Sequence, residues 1–146
     1  MAILHDVQAR SSIEQRVRAL TPQTRPRWGK MSVDQMLWHV NQAMGLSLGE
    51  VRVGPGGPTM PPALMKFLVI RMPWPKGAPT HPDFVAQRSY DFATERDRAL
   101  RLISDLTTKP INEPWPVHPA FGRMSGREVS ALTHKHLNHH LTQFGV

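Results

Sequence analysis

The chain contains no cysteine, and this absence removes several kinds of chemistry at once. Disulfide frameworks, thiolate nucleophiles, thiolate metal sites and iron–sulfur clusters held by this chain are excluded, so any metal must be held by nitrogen or oxygen. No stretch approaches the roughly 18 apolar residues that a membrane span needs, and residues 1–12 lack the basic start and long apolar run of a secretory signal. We therefore expect a cytoplasmic protein without a membrane partner.

Length and charge narrow the class of protein. The 146 residues, of which 40% are apolar, match one ordinary domain that buries a core without disulfides or a structural metal, so we interpret residues 1–146 as a single domain. The formal net charge of +7 favours acidic partners. However, the basic residues form no dense run and are not interleaved with aromatic residues. We expect no specific nucleic-acid partner, only weak and salt-sensitive binding.

Hydrophobic spacing predicts four principal helices and one short, apolar helix. The predicted segments are about 6–20, 33–48, 63–72 (the short one), 92–107 and 126–144. Ser32 with Gln35, and Ser125 with Glu128, have the spacing of capping boxes that begin helices. Glycine and proline between residues 49 and 60 predict a loop. Since no strand-like alternation of useful length appears, the fold class is all-α, with the helices in a four-helix bundle joined by long Pro/Gly-rich loops.

Histidine is the most informative residue type, because four of the eight histidines fall within residues 134–140. His136 and His140 are separated by about 40° around the helix axis and by about one turn along it, so both can reach one ion. Apolar neighbours place them on the inward face of the last helix. His139 is an alternative partner of His136 at i, i+3 spacing, and spacing alone does not decide between them. Gln143 lies near the same direction and is a candidate for orienting a ligand or a bound water.

A histidine pair on one helix needs a third ligand from elsewhere, and His39 is the best candidate because it lies mid-helix beside the apolar stripe of the second helix. Two simpler interpretations stay open: His39 as a hydrogen-bonded boundary residue, and residues 134–140 as a surface tract with adventitious metal affinity. We expect the other isolated histidines, His5, His81 and His118, to be structural or exposed. We expect the four tryptophans to pack in the core or to line a pocket.

Three segments, WGKMSVDQMLWHV, HPAFGRMSGREV and HKHLNHHLTQFG, occur in this order and span most of the chain. Together they resemble an uncharacterised branch of the DinB/YfiT-like superfamily of metalloenzymes. The resemblance implies a four-helix bundle with a three-histidine metal site, one ligand from the second helix and an H-x-x-x-H pair from the last. These positions match His39, His136 and His140, so the resemblance prefers His140 to His139. Val129 departs from the pattern, since family members often carry Trp there. The loop around His118 is interpreted as a structural turn, with the border of a pocket as the alternative.

Three neutral imidazoles leave coordination positions open on a divalent ion, which is typical of a catalytic metal site. Such an ion polarises a substrate or activates water, so hydrolysis is one route. Some relatives use a low-molecular-weight thiol, so the resemblance equally implies a thiol-dependent transferase. The alternative is a metal-binding carrier or small-ligand sensor without catalysis. All-nitrogen ligation suits zinc, nickel or iron. We expect a small-molecule substrate or thiol as the partner, and the resemblance suggests a homodimer.

Overall fold

The computed structural model describes residues 1–57 and 59–146, and its regular secondary structure is helical. The helices are α1 (Val7–Ala19), α2 (Val33–Leu48), α3 (Pro62–Arg71), α4 (Phe92–Thr108) and α5 (Gly126–Gln143). Within the described residues there is no strand, only an isolated bridge between His118 and Gly122. The all-α prediction is confirmed, and every predicted helix end lies within one residue of the observed one. A 3₁₀ turn at Pro82–Phe84 was not predicted, and Pro58 of the predicted loop lies outside the described residues.

The helices begin where the capping residues place them. At α5, the Ser125 amide donates to Glu128 Oε2 at 2.9 Å and the Glu128 amide donates to Ser125 Oγ at 3.1 Å. At α2, the Ser32 amide donates to Gln35 Oε1 at 3.0 Å. Each bond gives a partner to a backbone donor that the first helical turn leaves unpaired. The same local sequence that starts α2 and α5 thus fixes the register of the histidines they carry.

Four helices pack as neighbours in a closed ring with the order α1, α4, α2, α5, and α3 packs on the outside against α5. The buried apolar side chains form one cluster that draws on every helix, and Ile13, Ala99 and Ile103 are fully buried. This arrangement puts α2 beside α5.

None of the helices in the described part of the chain combines the length and the apolar character that a membrane crossing requires. The assignment of residues 1–146 to one domain stays a prediction.

Candidate metal centre

Three imidazole rings meet where α2 packs against α5. The ring centroids of His39 and His136 lie 4.9 Å apart, those of His39 and His140 4.8 Å apart, and those of His136 and His140 4.8 Å apart. His39 and His140 are buried, with 4% and 8% of their surface exposed, whereas His136 is half-buried. The structure therefore brings the three predicted residues into one compact triangle, of which His136 is the least buried member. We call these three residues the histidine cluster.

The tautomer of His39 follows from its hydrogen bonds. Its Nδ1 lies 2.9 Å from the carbonyl oxygen of Phe84, which only accepts, so Nδ1 carries the proton. In the neutral ring Nε2 then holds a lone pair, and this atom lies 3.0 Å from Nε2 of His136. His136 consequently donates its Nε2 proton to His39 across the cluster. To hold a metal ion through Nε2, the neutral His136 ring would carry its proton on Nδ1 instead, which leaves the Nε2 lone pair free.

His140 is fixed in the same tautomer by Gln143, one turn further along α5. The side-chain amide of Gln143 donates from Nε2 to the Trp28 carbonyl oxygen at 2.9 Å, which settles which end of the amide is nitrogen. Oε1 of Gln143 must therefore accept the bond of 2.7 Å from Nδ1 of His140. Nε2 of His140 is left with a lone pair. Gln143 thus orients this histidine, as its position on the helix predicted.

Gly29 allows the segment around Trp28 to pack closely against Gln143 at the end of α5. Its φ of +83° is a left-handed conformation, and a β-carbon at this position would lie 2.7 Å from Nε2 of Gln143. Only glycine lets the loop backbone approach the amide so closely. The Arg27 amide also donates to the Gln143 carbonyl oxygen at 2.7 Å. The backbone of residues 27–29 therefore holds Gln143, the residue that orients His140, in place.

Burial keeps the cluster uncharged. Desolvation lowers the pKa of His39, holds the pKa of His136 well below its usual range, and lowers the pKa of His140 to about 3. The neighbouring imidazoles of the cluster lower the pKa values of His136 and His140 further, because two cations at this separation repel. Neutral imidazole is the form that binds a metal ion. The cluster is thus ready to ligate at neutral pH.

The dimensions also suit a shared ion. The candidate ligand atoms of the three residues all lie within 4.8 Å of one another. With a metal–nitrogen distance of about 2.0–2.1 Å and tetrahedral angles, ligand nitrogens are about 3.3 Å apart. The pair formed by His39 and His136, at 3.0 Å, is already close to this spacing, and closure of the third ring needs a shift of about 1–2 Å at most. The residues therefore fit one divalent ion.

The 3₁₀ turn that holds His39 is itself tied to the loop after α2. Nε2 of His81 donates to the Gly54 carbonyl oxygen at 3.0 Å, and the Gly54 amide donates to Asp83 Oδ2 at 2.7 Å. The Val85 amide, which shares a peptide plane with the Phe84 carbonyl, donates to the Pro82 carbonyl oxygen at 3.1 Å and so sets the direction of the Phe84 carbonyl. This support could not be predicted from the sequence, because the acceptor is a backbone carbonyl, a group that every residue has. His81 is structural, as expected.

The remaining histidines lie outside the cluster. His139 is adjacent to His140 but faces the indole rings of Trp28 and Trp74, at centroid distances of 5.9 and 5.5 Å. His134 lies elsewhere on α5, where burial and the positive charge of Arg16 lower its pKa.

His5 and His118 have structural roles. Nδ1 of His118 accepts the amides of Ala120 and Phe121, and burial lowers the pKa of His118 to about 4. These bonds bear out a structural turn at His118, while Pro116, Val117 and Pro119 of the same loop also line a second cavity. His5 bonds to Ser130 through both its amide and its ring, which holds the N-terminal segment against α5.

The architecture defines a class: an all-helical protein with three neutral histidines held together by two adjacent helices. The family model of the DinB superfamily matches residues 5–144, and the chain belongs to this superfamily. DinB-like proteins often bind metals, and the histidine cluster is compatible with that property. Val129, at which the sequence departs from the family pattern, lies buried in the hydrophobic core. No curated protein and no solved structure matches the chain.

Proposed function

We propose that His39, His136 and His140 bind one divalent metal ion through their Nε2 atoms. The observation that carries this proposal is the pair of fixed tautomers: a backbone carbonyl holds Nδ1 of His39 and Gln143 holds Nδ1 of His140, so both Nε2 lone pairs are available within the cluster. Such outer partners orient metal-ligating histidines and raise their basicity. An all-nitrogen ligand set suits zinc, nickel or iron.

We further propose that the protein is a metal-dependent enzyme, either a hydrolase or a thiol-dependent transferase. Three protein ligands leave a coordination position open, which is typical of catalytic sites. A bound divalent ion supplies Lewis-acid chemistry to a substrate at that position. His136 is the half-buried member of the cluster, so a small molecule approaches from its side. The cluster contains no carboxylate and the chain no cysteine, so we infer that the nucleophile is water or an external thiol.

The test is an activity screen of metal-loaded, untagged protein. One panel contains ester, amide and phosphoester substrates, and the other combines low-molecular-weight thiols with electrophiles. We expect turnover in the wild type, loss of turnover in His39→Ala, and wild-type turnover in His134→Ala, which removes a histidine of α5 outside the cluster. Tight metal binding without turnover in either panel would instead favour a non-catalytic carrier or small-ligand sensor.

A further inference from the structure

A solvent-open cavity of about 220 Å³ lies beside the histidine cluster. Its wall consists of two indole rings and four polar or charged side chains: Trp28, Trp74, Lys135, Asn138, His139 and Thr142. The Trp74 ring also packs against the ring of His136, with 5.6 Å between the centroids. The Trp74 indole is therefore shared by the wall of the cavity and the surroundings of His136.

Two lysines contact the indole rings of this cavity, and one of them, Lys135, belongs to its wall. Nζ of Lys135 lies 5.2 Å from the centroid of the Trp74 ring, and Nζ of Lys76 lies 4.8 Å from the centroid of the Trp28 ring. No carboxylate belongs to the wall in the described part of the chain. Lys76 forms no ion pair with a carboxylate of residues 1–57 or 59–146. An anion entering the cavity would therefore meet the charge of Lys135 in the wall, with Lys76 against the Trp28 ring and no carboxylate in the described part of the wall.

The two lysines play different parts. Lys135 donates to the carbonyl oxygens of Val69, Ile70 and Met72 at the end of α3, which uses all three of its protons. It therefore acts on a ligand only through its charge. Lys76 is exposed, and the Trp28 ring is the one partner that its ammonium group has among residues 1–57 and 59–146. It is the group that can turn to meet an anionic end of a ligand.

We propose that this cavity binds a small, flat organic anion, namely an aromatic or unsaturated carboxylate. The planar body packs against the indole walls, because aromatic rings prefer stacked or edge-to-face partners. The carboxylate lies toward Lys76. The volume is below the roughly 300–1,000 Å³ of pockets for drug-sized ligands, which restricts the ligand to a small molecule. That this ligand is the substrate rests on the function proposed above, whereas the binding itself does not.

Benzoate is the probe, added to metal-free protein and followed by two-dimensional NMR and calorimetry. We expect saturable binding in the millimolar range, which is what ligand efficiency allows for so small a molecule. The indole N–H signals of Trp28 and Trp74 should shift, while those of the other two tryptophans stay in place. Benzylamine, which has the same ring and the opposite charge, should bind at least about tenfold more weakly, because it meets both cations.

Two variants test the parts that the proposal assigns to Lys76 and to the Trp74 ring. Lys76→Gln should weaken the binding of benzoate about threefold, which corresponds to the attraction between two unit charges roughly 6 Å apart in water. The binding of benzyl alcohol, which has no charge, should stay unchanged. Lys109→Gln is the matched control, because Nζ of Lys109 lies 5.2 Å from the Trp115 ring, outside the wall of the cavity. Trp74→Leu should weaken benzoate and benzyl alcohol alike, by about tenfold. Lys76 is exposed, so its variant keeps the test valid if Trp74→Leu does not fold.

The proposal is overturned if benzoate shows no saturable binding in the millimolar range, or if benzylamine binds as well as benzoate. Shifts that map away from Trp28 and Trp74 would also overturn it. Because the probe is added to metal-free protein, these results leave the metal proposal intact. A zinc titration of the same sample tests that proposal separately.

Discussion

Replacing Gly29 with alanine should disturb the histidine cluster through Gln143, although residue 29 lies in a loop outside both helices that carry the cluster. The left-handed φ of +83° costs alanine about 1–2 kcal/mol. In addition, the new β-carbon would lie 2.7 Å from Gln143 Nε2, so the amide must move. Its bonds to Trp28 and His140 weaken, which adds about 1–3 kcal/mol for two hydrogen bonds. The total loss of unfolding free energy is about 2–5 kcal/mol.

Gly77→Ala is the matched control. Gly77 has a similar φ of +75°, but a β-carbon at this position would have no neighbour within 4 Å, so only the backbone cost of about 1–2 kcal/mol remains. Urea unfolding of metal-free protein measures both variants, and competition with a chromophoric chelator measures their zinc affinity. We expect zinc affinity to fall about 10–100-fold in Gly29→Ala only, because Gln143 no longer orients His140. Equal stability losses and unchanged zinc affinity in both variants would refute the role assigned to Gln143.

Three further predictions concern residues away from the metal ligands. The pKa of His118 falls from 6.5 to about 4 on folding, so its stabilising contribution is complete above pH 6.5 and is lost as the pH falls toward 4. Between pH 7 and pH 4, the free energy of unfolding, measured with urea, should therefore fall by about 2–3 kcal/mol more in the wild type than in His118→Asn. The asparagine side chain still accepts the loop amides but does not titrate. Equal falls in the two proteins would contradict this. Ser130→Ala should cost about 1–3 kcal/mol by removing both bonds to His5, with zinc affinity unchanged, and a loss below about 0.5 kcal/mol would speak against it. Asp83→Ala should lower zinc affinity severalfold by loosening the turn that carries the Phe84 carbonyl, whereas an unchanged affinity would show that this turn does not position His39.

The helices were predictable because their signals are local. Ser32 and Ser125 mark helix starts through bonds that reach only three residues along the chain, and apolar spacing marks which face is buried. Pro62 at the start of α3 follows the same logic. The 3₁₀ turn at Pro82–Phe84 escaped prediction because it spans three residues and depends on contacts with Gly54 and α2. No periodicity can appear in so short an element.

The site was predictable only in part, for a physical reason. Spacing showed that His136 can share an ion with either His139 or His140, because both lie within about 60° of it on the helix. The choice depends on how α5 is rotated against α2, which is a tertiary property. The structure turns His140 inward and leaves His139 facing Trp28 and Trp74. The position of Trp74 could not be predicted, since it lies at the start of the proline-rich loop after α3, whose path no local pattern specifies.

The central claim is one metal ion per chain held by His39, His136 and His140, and elemental analysis of untagged protein tests it most directly. The wild type, His39→Ala, His136→Ala and His139→Ala are purified without chelating resin, which would otherwise add metal. The account predicts about one metal per chain in the wild type and in His139→Ala, and none in the other two variants. Metal-free wild type, or metal retained in His39→Ala, would contradict it.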